Sequence, residues 1–255
     1  MEFINSLQSE RLKIKHTPGK WICLIGSLFI PILFFAGFFK DKNSINSYEG
    51  SVNSWITLFL NVWRFMAIAI LPMSVILISS LITQLEYKNN TWKQLHTTPQ
   101  HFVTIFFAKL SAILILILEL FLYFNGALIL TAIIPSLIFD HRLPDHHFPF
   151  AFYLQANAKI FLNCLPVIAI QYLLSLQFKN FLVPVGVGFL GMVASFIMVK
   201  TTGYAYLSPY SHSTLLILGT EVILPKINLQ LWSSIYSAVI LIVCYVLYWA
   251  KKDKG

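Results

Sequence analysis

Residues 102–134 read FVTIFFAKLSAILILILELFLYFNGALILTAII. The stretch is long, apolar and broken only by the charges of Lys109 and Glu119. It runs well past the roughly 18 residues that mark a membrane span, so the first expectation is a helix that crosses a bilayer and extends beyond it. Comparable blocks lie on either side, at about 21–39, 55–84, 152–176, 181–199 and 231–250. Short polar segments separate them. The pattern predicts an all-α integral membrane protein with six transmembrane helices in one domain over residues 1–255.

Composition agrees. Hydrophobic residues make up 57% of the chain and charged residues only 11%, with mean hydropathy +0.73. A soluble domain is about one quarter charged, and a single buried core does not absorb so large an apolar excess. The first block is too long for a signal-peptide core, and FFAGFF offers no small-residue cleavage site, so it reads as a retained span. Cys23, Cys164 and Cys244 all fall inside apolar blocks and read as small hydrophobes.

Three segments differ from the spans. Residues 1–19 begin MEFINSLQSERLKIK, with Phe3, Ile4, Leu7 and Ile14 roughly on one face, as in an amphipathic helix lying on a membrane surface. Residues 200–230 are semi-polar with an apolar patch too short to cross, and predict a re-entrant or interfacial segment before the sixth span. Pro166 is expected to interrupt the fourth block.

Orientation follows from the loop cations. Of eighteen Lys and Arg residues, eleven belong to one side, among them Arg11, Lys13, Lys15, Lys20, Lys88 and Lys252. Six belong to the other, and Arg64 falls within a span. The richer side is expected to be cytoplasmic, with both termini inside. The net charge of +8 is thus read as topology, not as a surface for nucleic acid.

Soluble-enzyme chemistry is missing from these residues. There is no GxxxxGK[ST] phosphate loop, no HExxH and no GxSxG. Gly186, Gly188 and Gly191 match GxGxxG, but they lie within a span, where glycines serve close helix packing. The cluster Asp140, His141, Asp145, His146 and His147 reads as a solvated outer loop, and no metal site is expected.

The most informative connection is 85–110, LEYKNNTWKQLHTTPQHFVTIFFAKL. An acid closes a long span, a short polar stretch carries Trp92 and Leu95 as an apolar edge, and Pro99 precedes the return to the membrane. This order resembles the ABC-2 family of ATP-binding-cassette transporter permeases, particularly the small lantibiotic-immunity type. There the stretch often reads E-x-x-x-x-T-W-x-x-L-x-x-x-P, matched here by Glu86, Thr91, Trp92, Leu95 and Pro99. The surface helix, six spans and re-entrant segment resemble that family's plan as well.

The resemblance implies that 85–101 is a cytoplasmic coupling helix docking into a separate ATPase subunit, with Glu86 anchoring it and Trp92 and Leu95 packing on the partner. It implies a second permease chain, identical or related, in a bacterial cytoplasmic membrane, and an export function. ATP and Mg would sit in the partner; this chain would bind no cofactor and would not itself be an enzyme.

The rival reading is a stand-alone secondary transporter or channel. Arg64 and Glu119 would carry it, because intramembrane charges mark functional pathways. By helical rise they lie at similar depths on neighbouring antiparallel spans and are expected to pair. Gln155, Lys159 and Asn163 recur every fourth residue, and this stripe faces either a polar interior route or the outer interface.

Overall fold

A computed structural model describes residues 2–15, 17–40, 53–88, 101–138, 147–201, 204–218 and 228–252, excluding the side chains of residues 86–88, 102 and 251–252. Among these residues there are helices and turns and no strands. The helices are α1 (Glu2–Ile14), α2 (Pro18–Lys40), α3 (Ser54–Phe65), α4 (Leu71–Lys88), α5 (Phe102–Ile138), α6 (Phe150–Gln177), α7 (Leu182–Thr201), α8 (His212–Leu218) and α9 (Leu229–Lys252). Six stretches are long and apolar enough to cross a membrane: α2, α3 through α4, α5, α6, α7 and α9. The expected spans are all present, with ends displaced by a few residues.

The three middle spans form the core and the others surround it. About 61% of the apolar window of spans two, three and four is buried, against 22–28% for spans one, five and six. α6 packs on α4 and α9, α5 packs on α2 and α1, and α7 packs on α4. Trp63 of α3 is fully buried, with its indole 5.3 Å from the Phe121 ring and 4.6 Å from that of Phe124 on α5. Asn53 starts α3, its side-chain oxygen accepting from the N–H groups of Trp55 and Ile56.

Two prolines act differently. α6 runs unbroken through Pro166, so the expected interruption does not occur. Pro72 instead marks a change of winding: α3 and α4 are joined by a π-turn at Met66–Ile70. There the N–H of Leu71 reaches Met66 O, one residue further back than in an α-helix. The next donor in that pattern, for Ala67 O, would be residue 72, and proline has no N–H. The Thr214 hydroxyl of α8 supplies the missing bond, donating to Ala67 O at 3.1 Å.

Among the described residues, close helix approach depends on glycine at three positions: Gly26 of α2, where a Cβ would lie 2.6 Å from Ser74 Oγ, and Gly188 and Gly191 of α7. A Cβ at Gly188 would lie 2.3 Å from Gln171 Nε2 and 2.9 Å from Ile76, and one at Gly191 would lie 2.7 Å from the Tyr210 ring. Gly186 faces open space. The glycine pattern of α7 therefore serves packing at Gly188 and Gly191.

Candidate functional site

The expected coupling residues Thr91, Trp92, Leu95 and Pro99 lie outside the described residues. Glu86 is within α4, but its side chain is also outside them. The two helices flanking this segment, α4 and α5, are both tied to α6 at the same end. Gln84, near the end of α4, is buried and donates through Nε2 to Phe178 O at 2.6 Å, at the end of α6. Tyr172 of α6 donates to Phe106 O of α5 at 3.0 Å. Phe106 in turn contacts the rings of Tyr172, Tyr245 and Tyr248, joining α9 to the same knot. A polar residue in an apolar run was the available signal for Gln84 and Tyr172; their partners were not legible.

The charges around α1 are arranged differently from the sequence expectation. Glu119 Oε1 lies 3.6 Å from Nη2 of Arg11, so the cation placed beside it comes from α1. Arg64, the partner expected from helix depth, is half-buried on α3 beside Trp63. α1 itself docks on α5 through Ser6, Glu10 and Ile14, a buried stripe of spacing four. Phe3 and Ile4 are exposed, at 42% and 59%. The helix is thus held partly by its polar side. Glu10 is buried because a cation is buried opposite it: Lys109 Nζ is 4.0 Å from Glu10 Oε2, and Lys13 hydrogen-bonds the other carboxylate oxygen. Lys109, one of the two charges in the 102–134 stretch, is only 2% exposed.

A second polar assembly joins α6, α8 and α9. Of the expected stripe, Gln155 is exposed, Lys159 half-buried and Asn163 fully buried. Asn163 Nδ2 donates to Lys159 O at 2.9 Å, and its Oδ1 faces Ser233 Oγ of α9. Ser233 Oγ is also 2.8 Å from His212 Nδ1, and its single proton serves one of these acceptors at a time. His212 Nε2 is 2.8 Å from Tyr206 O, which only accepts, so the ring's proton sits on Nε2. Burial pushes the His212 pKa below its ordinary value, opposed in part by that carbonyl. A separate buried bond on α6 joins Gln171 Nε2 to the Tyr210 hydroxyl at 2.7 Å. His212, Ser233 and Gln171 carried no motif, and only the fold gives each its partner.

Six apolar crossings, a long-helix core and polar groups bonded inside it define a multi-pass membrane protein. A family model described as ABC-2 family transporter protein matches residues 6–195, from α1 through most of α7, and the chain belongs to that family. No curated protein matches it. The family assignment makes this chain a membrane component of a transport system, as the 85–101 motif implied. Among the described residues no group of His, Cys, Asp or Glu is arranged to hold a metal ion.

Proposed function

We propose that the chain is the permease subunit of an ABC exporter, moving substrate across a bacterial cytoplasmic membrane with energy from a separate ATPase. The observation that carries this reading is the family match over residues 6–195, which includes the connection with Glu86, Thr91, Trp92, Leu95 and Pro99. The 255 residues contain no phosphate-binding loop of their own, so uphill transport needs a partner that binds ATP and Mg. Residues 85–101 are its docking site, and a second permease chain completes the pathway. Loop charge supports cytoplasmic termini.

Residues 200–230 form the re-entrant segment of this reading. Two facts support it: His212–Leu215 are buried, and Thr214 meets Ala67 thirteen residues into the second span, about 20 Å from its first residue.

Purification of the tagged chain from native membranes tests the reading. An ABC ATPase should co-purify, and vesicles with that ATPase face outward should accumulate substrate when supplied with ATP. Purified chain that transports alone, driven by an ion gradient, would identify a secondary transporter instead.

A further inference from the structure

We propose that the cleft between α1, the start of α2 and α5 binds the phosphate of an anionic phospholipid, with an acyl chain lying along α5. The cleft has a volume of about 420 Å³. Arg11 and Lys15 line it from the α1 side, Lys20 from α2, and Ile115, Leu116 and Glu119 from α5. Among the described residues Glu119 is its one carboxylate, and it lies 3.6 Å from Arg11. Once that pair is set aside, Lys15 and Lys20 leave the cleft with an excess of two positive charges.

Two observations favour a lipid over a free anion. The cleft is at the level of a membrane interface: Lys20 is followed by Trp21, 67% exposed, and an exposed tryptophan beside a lysine at the start of a span marks the headgroup layer. The apolar wall also continues in the direction an acyl chain would take. Ile115, Glu119 and Leu122 share one face of α5 by helical spacing, and Leu122 is 71% exposed. A phosphate among the cations therefore has a greasy track beneath it on the same helix face. A free phosphate would leave that track unused. The site does not depend on the coupling reading above, since it uses none of residues 85–101.

Retention of lipid by the purified protein in native mass spectrometry tests the proposal. Dioleoyl phosphatidylglycerol should be retained in preference to dioleoyl phosphatidylcholine, which has the same chains and no net charge. Lys15→Gln/Lys20→Gln should weaken retention of the glycerol lipid by roughly tenfold or more. Lys40→Gln/Lys179→Gln, which removes the same charge from exposed positions elsewhere, should leave it unchanged. Glu119→Gln should strengthen retention by freeing Arg11, an effect that misfolding does not mimic. Equal retention of the two lipids, an unaffected Lys15/Lys20 variant, or no gain with Glu119→Gln would overturn the site. Displacement of the lipid by millimolar inorganic phosphate alone would overturn its assignment to a lipid and make it a free-anion site.

Discussion

At the scale of single residues, the least forgiving positions are glycines against which buried side chains of a neighbouring helix are packed. Gly188 is one: a methyl group there would collide with Gln171, whose buried amide is held by Tyr210, and with Ile76. Moving Gln171 aside breaks a buried hydrogen bond, so Gly188→Ala should destabilise the protein by about 1–3 kcal/mol. Gly186 has nothing within 4 Å, and Gly186→Ala should be neutral or slightly stabilising. Thermal unfolding of both variants in detergent checks the contrast. A similar loss in both would mean that helix flexibility, not close packing, explains the glycines.

The ion pair of Glu119 belongs to the same scale. The Arg11 side chain is 58% exposed and that of Glu119 24%, so solvent weakens the attraction. A double-mutant cycle between them should give a coupling below about 1 kcal/mol. The Arg64–Glu119 cycle tests the pairing proposed from the sequence, and the geometry favours Arg11 by giving the larger coupling to that pair. The discrepancy has a physical source. Helical rise estimates depth, but whether two side chains meet depends on helix rotation, which a residue count does not contain.

At the scale of elements, α8 is the piece whose role the sequence concealed. Residues 200–230 read as semi-polar and short, and nothing in them announced that Thr214 would satisfy a carbonyl on another span. Pro72 was visible, but not the π-turn it accompanies or the carbonyl left over. Thr214→Val keeps the shape and removes the donor, so it should cost about 1–3 kcal/mol, while Thr214→Ser should retain most of the stability. Chemical unfolding of the two variants decides the matter, and a larger loss in Thr214→Ser than in Thr214→Val would point to packing of the methyl group instead.

His212 gives α8 a pH dependence with a definite sign. Burial lowers the pKa of the folded-state imidazole, so below the unfolded value, about 6.5, the unfolded chain binds more protons. Stability from this group is complete at higher pH and falls as pH drops through about 6.5 toward the lower folded value. The melting temperature should therefore decline between neutral and mildly acidic pH, and His212→Gln should flatten that decline. An unchanged slope in the variant would assign the pH dependence to other groups.

At the scale of the whole molecule, the six crossings were legible because hydropathy over a span is additive and needs no tertiary knowledge. The family was legible from five residues in a connector taken together with the plan of surface helix, six spans and re-entrant segment. The order of the bundle, with spans two to four inside, was not, because all six blocks are apolar and only packing separates them. α1 shows the limit most clearly. Its apolar residues predicted an interfacial helix, but its contact with α5 uses Ser6 and Glu10 as well as Ile14, and Glu10 is there because Lys109 is buried opposite.

This arrangement bears on how a connector could drive the spans. A lever transmits movement only if the helices it joins resist bending relative to their neighbours. α4 is tied to the end of α6 by Gln84, and α5 is tied to α6 by Tyr172, so the helices on both sides of 85–101 are anchored to one central span. If Trp92 packs on the ATPase as the motif implies, Trp92→Ala should weaken that association by about 2 kcal/mol, or roughly thirtyfold. Gln84→Leu should act differently. It leaves the docking residues intact but removes the bond to Phe178 O, so assembly should persist while substrate moved per ATP hydrolysed falls. Co-purification yield and a transport-to-hydrolysis ratio in reconstituted vesicles separate the two effects. Loss of assembly in Gln84→Leu with an unchanged ratio in the remaining complexes would show that the α4–α6 tie holds the fold together and does not transmit the stroke.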